Sequence, residues 1–253
     1  MAAEPTELAL RLRRLTLARV GLGRSGASQT TADALAFALA HARARDAVHD
    51  ALDAEALAEA FAVLGHAVIQ VRSAAPDRRG YLLRPDLGRT LAADAVLDAA
   101  GPFDLAVVAA DGLSARAVQA HAAPLLAALA PRLEGLTLSP VVIAHQARVA
   151  LGDAIGARLL ARAVLVLIGE RPGLSSPDSL GAYLTFDPRE GRTDAERNCV
   201  SNIRPEGLGY EAAAVRLAWL VREALGRRLT GVGLKDESDL PSIDAGSPNP
   251  SLT

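Results

Sequence analysis

The stretch AVLVLIGERPG, residues 163–173, decides how the rest of the chain is read. Its first six residues are all apolar, β-branched at Val164, Val166 and Ile168, and too short a run to invite a membrane span. That is the pattern of a strand covered on both faces rather than one half-exposed to water. The run stops at Gly169 and gives way to Glu170, Arg171, Pro172 and Gly173. Loops at the carboxyl ends of parallel strands are where open α/β sheets place their ligands, so this loop is a candidate site.

Working outward, residues 105–110 (LAVVAA) and 141–144 read as two more buried strands, and 183–186 as a further one. Helical patterns lie between them, from after Ser114 to about 129 and over 151–161, the latter interrupted by Gly156. Strands of buried type alternating with helices predict an α/β fold, a Rossmann-like parallel sheet flanked by helices on both faces. Residues 68–72 suit an edge strand, 74–81 a loop, 86–99 a helix opened by Pro85 and Asp86, and 211–225 a final amphipathic helix.

Before the sheet, 7–19 reads as a short helix, GLGRSGAS (21–28) as a linker, 30–52 as a helix capped by threonine, and 54–64 as another closed by Gly65. The expected division is a small helical N-terminal domain at 1–65, an α/β domain at 66–234, and a disordered tail at 235–253, where apolar residues almost vanish.

Composition narrows the function. Half of the 253 residues are apolar but only 3% are aromatic, so the core is built from Ala, Leu and Val. A formal charge of −2, from 27 basic and 29 acidic side chains, supplies no global field for nucleic acid or an anionic membrane. One cysteine, Cys199, excludes an internal disulfide and any Cys-rich metal site, and suits a reducing cytoplasm. Arginines break every apolar run of the N-terminus before signal-peptide length, and no stretch reaches the roughly 18 to 20 apolar residues of a membrane span.

Several chemistries fail on spacing. The five histidines form no H-x-x-x-H or H-E-x-x-H pair, so no metal site is expected. Gly21, Gly23 and Gly26 have the G-x-G-x-x-G spacing but follow no buried strand, leaving an NAD enzyme as a distant alternative. Ser114 follows AspGlyLeu without the glycines of a nucleophile elbow and reads as a helix cap. Cys199 lies in ERNCVSNI among turn formers, with no histidine nearby to activate it. Glu170 reads equally as a cap, a partner for Arg171 or a ligand contact.

Five ordered blocks settle the family expectation: LTLARVGLGRSGASQTT (15–31), HARARDAVH (41–49), YLLRPDLGR (81–89), LAVVAADGLSARAV (105–118) and 163–206. Together they resemble the small subunit of ethanolamine ammonia-lyase. The resemblance implies a complex with a larger barrel subunit, adenosylcobalamin held at their interface, and radical conversion of ethanolamine to acetaldehyde and ammonia. It makes Glu170 of GERPG, Cys199 of NC-x-SNI and Val149 cobalamin contacts, the last in a block where Ala147 replaces the more usual glycine. Substrate contacts belong to the large subunit, so no catalytic residue is assigned to this chain. The D-x-H-x-x-G pattern that lends a histidine to cobalt is absent, so cobalamin would keep its own benzimidazole there. On the same resemblance 41–49 shifts from a solvated helical face, braced by Arg43 and Asp46, toward a subunit contact. A non-catalytic assembly subunit without cofactor contact is the main alternative, and enclosure in a bacterial microcompartment is left open.

Overall fold

The structure, a computed structural model, describes residues 7–16, 19–99 and 101–238. Most of the expected tail, 239–253, therefore lies outside the described residues. Helix α1 (Glu7–Leu15) is followed by a two-stranded hairpin, β1 (Arg24–Ser25) and β2 (Ser28–Gln29), where a linker was expected. Helix α2 (Thr31–His49) begins at Thr30, whose side chain accepts the Asp33 N–H, and α3 (Ala54–Val63) begins at Asp53 in the same way. Leu57 and Phe61 of α3 are fully buried in the core beneath the sheet, so this helix shares its packing with the strands that follow.

The sheet has six strands: β3 (Val68–Arg72), β4 (Phe103–Ala110), β5 (Val141–His145), β6 (Ala161–Gly169), β7 (Leu180–Phe186) and β8 (Arg197–Ile203). They lie side by side in the order β3-β5-β4-β6-β7-β8. Four run parallel, with β3 at the edge as expected, but β7 and β8 are antiparallel additions. The all-parallel expectation is corrected to a mixed sheet. The cause lies in 170–179: this connection contains no helix to carry the chain back to the start of a parallel strand, so the chain turns and pairs directly with β6.

Helices α3, α5 (Ala115–Leu129) and α7 (Tyr210–Arg227) cover one face, packing on Leu105, Val107, Leu165 and Leu167. Helix α6 (Leu151–Arg158) covers the other, packing with Ala106, Val108, Val164 and Val166. Both sides of β4 and β6 are thus apolar contacts, which is why neither strand alternates. Gly156 inside α6 is explained by close packing, since a Cβ there would come within 2.6 Å of the Pro188 ring.

The helix expected over 86–99 is absent. Asp86 gives both carboxylate oxygens to Arg84 instead of capping, and only a single 3-10 turn forms at Leu87–Arg89. The backbone then returns to extend the sheet edge, with Ala74 N–H donating to Thr90 and Ala92 N–H to Arg72. A helix forms one segment earlier, α4 (Arg78–Leu83), which takes up the second half of the expected 74–81 loop and is capped by Asp77 on the Gly80 N–H at 2.6 Å.

One buried ion pair ties the antiparallel strands to the other layer. Arg197 of β8 donates through two nitrogens to Asp153 of α6, each at 2.7 Å, and also to Thr185 of β7 at 2.8 Å, with both charged side chains 2% exposed. Burial raises the Asp153 carboxyl while the Arg197 contacts lower it. Removing one partner strands the other charge in the interior, so Arg197→Met should cost about 3–5 kcal/mol in chemical denaturation. Pairing it with Asp153→Leu should recover part of that loss, and a double-variant loss equal to the sum of the two single-variant losses would show that the charges are not coupled.

Candidate functional site

Strand β4 delivers the chain to α5 on one face of the sheet, while β5 delivers it to α6 on the other. Where neighbouring connections diverge, a crevice opens at the carboxyl ends of the strands. Here it is a cleft of about 430 Å³ lined by Gly112 and Leu113 after β4, Arg148 and Val149 after β5, Ile168 to Arg171 from β6, and the rings of Tyr81 and Tyr183. The candidate loop after β6 forms one wall.

The floor is held by close backbone contact. Gly169 lies so near the β4–α5 turn that a Cβ would overlap the Ser114 carbonyl oxygen, and Leu113 N–H donates to the Gly169 carbonyl at 2.9 Å. Gly112 sits at φ +56°, a left-handed conformation that glycine adopts without strain, where any side chain would overlap Gly169. Ser114 caps α5 as expected, accepting from Ala117 N–H, and its hydroxyl donates to the Pro177 carbonyl at 2.9 Å, fastening the 171–179 loop. Asp111, buried beneath, accepts the Gln146 and Ala147 N–H groups at 2.9 and 3.0 Å, so the turn after β5 is fixed to the end of β4.

Glu170 caps no helix. Its own N–H donates to the Ser179 carbonyl at 2.9 Å, the Ser179 hydroxyl donates to Oε2, and Asn202 N–H reaches the same oxygen at 3.3 Å. The other oxygen, Oε1, lies over Gly181 and has no hydrogen-bond partner among the described residues, nor does Glu170 form an ion pair with Arg171. The result is a half-buried carboxylate held by one oxygen.

Opposite stands a charged stack missed by the sequence reading. The wholly buried Tyr81 ring lies between the guanidiniums of Arg78 and Arg148, 4.8 and 4.3 Å from its centroid. Burial pushes the Tyr81 phenol up to about 12, partly offset by Arg148, and its hydroxyl donates to the Ala147 carbonyl at 3.1 Å. Arg78 also bonds the Val48 and Gly112 carbonyls at 2.7 and 2.8 Å, joining α2 to the cleft floor. The only sequence signal was that Tyr81 opens the block 81–89; its partners are 3 and 67 residues away.

Of the three expected contacts, Val149 and Glu170 line the same cleft, whereas Cys199 stands just outside it. Cys199 lies not in a turn but on β8, directly opposite Tyr183 of β7, because Asn198 spends its turn-forming side chain on Gly231 N–H and the Leu234 carbonyl. Part of Cys199 faces solvent, yet crowding around the sulfur pushes its thiol up; Tyr183 opposes the shift and the Glu170 charge adds to it. Burial likewise raises Tyr183, with Cys199 contributing. Gly21, Gly23 and Gly26 flank or lie in the β1–β2 hairpin with no strand-to-helix turn around them, so the dinucleotide spacing has no matching context. Among the described residues no His, Cys, Asp and Glu group suits a metal ion, and no helix is long and apolar enough to cross a membrane.

Fold and cleft define an α/β protein with a mixed sheet and a crevice at the ends of its parallel strands that carries both Glu170 and Arg148 on its lining. The family model for the ethanolamine ammonia-lyase light chain matches residues 6–235, and the chain belongs to that family. Similar proteins include the ethanolamine ammonia-lyase small subunits of Rhodopseudomonas palustris, 58% identical over 248 residues and 95% of each chain, and of Bradyrhizobium diazoefficiens, 58% identical over 243 residues and 93% of each. That of Ralstonia nicotianae is 53% identical over 247 residues, 94% of this chain and 92% of its own.

The thiol environment is directly measurable. Cys199 of the folded chain should react with iodoacetamide more slowly than free cysteine at neutral pH, and the rate should climb only at pH values above those that ionise an ordinary thiol. Glu170→Gln, by removing the charge that helps hold the thiol protonated, should speed the reaction near neutrality; an unchanged rate would place Glu170 out of electrostatic reach of the sulfur.

Proposed function

We propose that this chain is the small subunit of an ethanolamine ammonia-lyase, inactive alone and active with a large subunit, and that its cleft is part of the wall holding adenosylcobalamin. The observation that carries this reading is Glu170: a residue lining a cleft at the strand ends, its carboxylate fixed through Oε2 and its Oε1 without a hydrogen bond among the described residues. A corrin is rimmed by amide side chains, each an N–H donor, and a fixed carboxylate is a strong acceptor for one of them. The corrin is much larger than the cleft, so this chain would cover part of it and leave the remainder, with the substrate, to the partner. Bound adenosylcobalamin would supply the radical chemistry by which ethanolamine becomes acetaldehyde and ammonia. The chain's own residues place the cofactor: Glu170 by hydrogen bonding, Val149 by packing, Cys199 at the margin beside Tyr183.

A partner is also supported by α2. Of its nineteen residues only Ala47 is buried, while Leu35, Phe37 and Leu39 are 65%, 48% and 53% exposed. An apolar helix so uncovered has surface for an obligate contact. Arg43 and Arg45 face solvent on it, and Arg45, rather than the expected Arg43, approaches Asp46 at 3.6 Å.

The purified single chain should show no ethanolamine-lyase turnover and should gain it on co-expression with a large subunit. Arg43→Glu with Arg45→Glu should weaken assembly, read by size-exclusion chromatography, without unfolding the chain. In the assembled complex Glu170→Gln should lower cobalamin affinity by about 1.5 to 3 kcal/mol, roughly ten- to a hundredfold. Thermal melting should hardly change. Normal affinity in a well-assembled Glu170→Gln complex would favour an assembly subunit that does not touch the cofactor.

A further inference from the structure

The cleft has a second pole that Glu170 does not explain. Arg148 is half-buried on the lining, and among the described residues it forms no ion pair. Its hydrogen bonding within the chain amounts to a long contact from Nη2 to the Tyr81 carbonyl at 3.4 Å, and its buried Nε has no partner. Most buried guanidiniums here are spent otherwise: Arg197 is matched by Asp153, and Arg78 by two carbonyls and Asp111 at 3.7 Å. Leaving an uncompensated cation partly desolvated is unfavourable, and such a group is a strong site for an anion.

Arg148 is also preorganised. Its guanidinium carbon stands over the Tyr81 ring, 4.3 Å from the centroid, its backbone N–H is fixed to the Gly88 carbonyl at 2.8 Å, and the preceding turn is fastened by Asp111. Contact with the ring restrains the planar fork, and a restrained guanidinium recognises a phosphate better than lysine does. Glu170, with one carboxylate oxygen unbonded among the described residues, is on the same lining, so the lining asks for a ligand with an anionic group at one place and N–H donors at another. Cobalamin has both: a phosphodiester in its nucleotide loop and amides around its ring.

Resting on the cofactor reading proposed above, we infer that Arg148, stacked on Tyr81, binds the phosphodiester of the cobalamin nucleotide loop. The site takes one phosphate monoanion, and no covalent step is involved.

The test uses the assembled complex with its large subunit and reads affinity by cofactor absorbance rather than turnover. Arg148→Met should weaken cobalamin binding roughly ten- to a hundredfold, the range for a charge-assisted hydrogen bond. Arg148→Lys, which keeps the charge but loses the fork, should fall between. Cobinamide, which lacks the nucleotide loop and its phosphodiester, should bind the Arg148→Met and wild-type complexes with the same affinity. Cobalamin affinity within twofold of wild type in Arg148→Met overturns the inference, as does an equal loss for cobalamin and cobinamide, which would mean a deformed wall. Weakened assembly with unchanged cobalamin affinity would assign Arg148 to a partner carboxylate and likewise overturn it. Failure of the wild-type complex to bind cobalamin at all would instead refute the cofactor reading.

Discussion

Strand β6 can reach the cleft only because Gly169 passes against the β4–α5 turn, where a side chain would collide with the Ser114 carbonyl. Every later feature of the site inherits that contact. β6 is bonded to β4 on one edge and to β7 on the other, and is buried on both faces, so its end has no freedom to move without breaking both ladders. Glu170 is the next residue. Its position is therefore that of a rigid strand end, whereas a carboxylate out on a loop would lose entropy when it met a ligand.

The two walls of the cleft are locked to one another from behind. Val149 leads into α6, which carries Asp153; Glu170 leads by way of β7 to β8, which carries Arg197. The Asp153–Arg197 pair joins them out of water, with Thr185 of β7 as a third member. A hydrophobic cluster of similar volume would serve stability as well or better. What the pair adds is direction, because a two-pronged bond between planar groups fixes orientation as well as distance. Site geometry thus depends on a polar contact on the far side of the sheet from the α5–α7 layer, remote from any ligand.

The buried strands were legible in the sequence because double-sided burial leaves a continuous apolar run, and 105–110, 141–144 and 163–168 all have one. Ser114 and Thr30 were legible as caps because capping is local. What escaped was non-local. β8 carries Asn198, Ser201 and Asn202, residues that suit turns, and it is a strand only because β7 offers it a ladder and 231–234 occupies the Asn198 side chain. The 86–99 helix failed because Arg84 took its cap and the sheet edge took its backbone. Tyr81, Arg148 and Asp111 come from three separate connections, and no pattern within one segment shows that they meet. Glu170 and Val149 entered through family resemblance, which supplies positions without supplying the surroundings that give them their chemistry.

Those surroundings constrain the size of any common ligand. Val149 and Glu170 share one cleft, but Cys199 stands outside it on the edge strand β8, in register with Tyr183 of β7. A compact ligand seated between Arg148 and Glu170 would leave Cys199 untouched. For all three expected contacts to meet one molecule, that molecule must leave the cleft, pass over Tyr183 and lie along β7 and β8. A broad, flat ligand meets that demand. Such a ligand would rest on the sheet end with much of its surface still uncovered, and the wall would need a second protein surface to exclude water. On the proposed function the uncovered cleft and the uncovered apolar side chains of α2 would have a single cause: both would be halves of contacts that a large subunit completes.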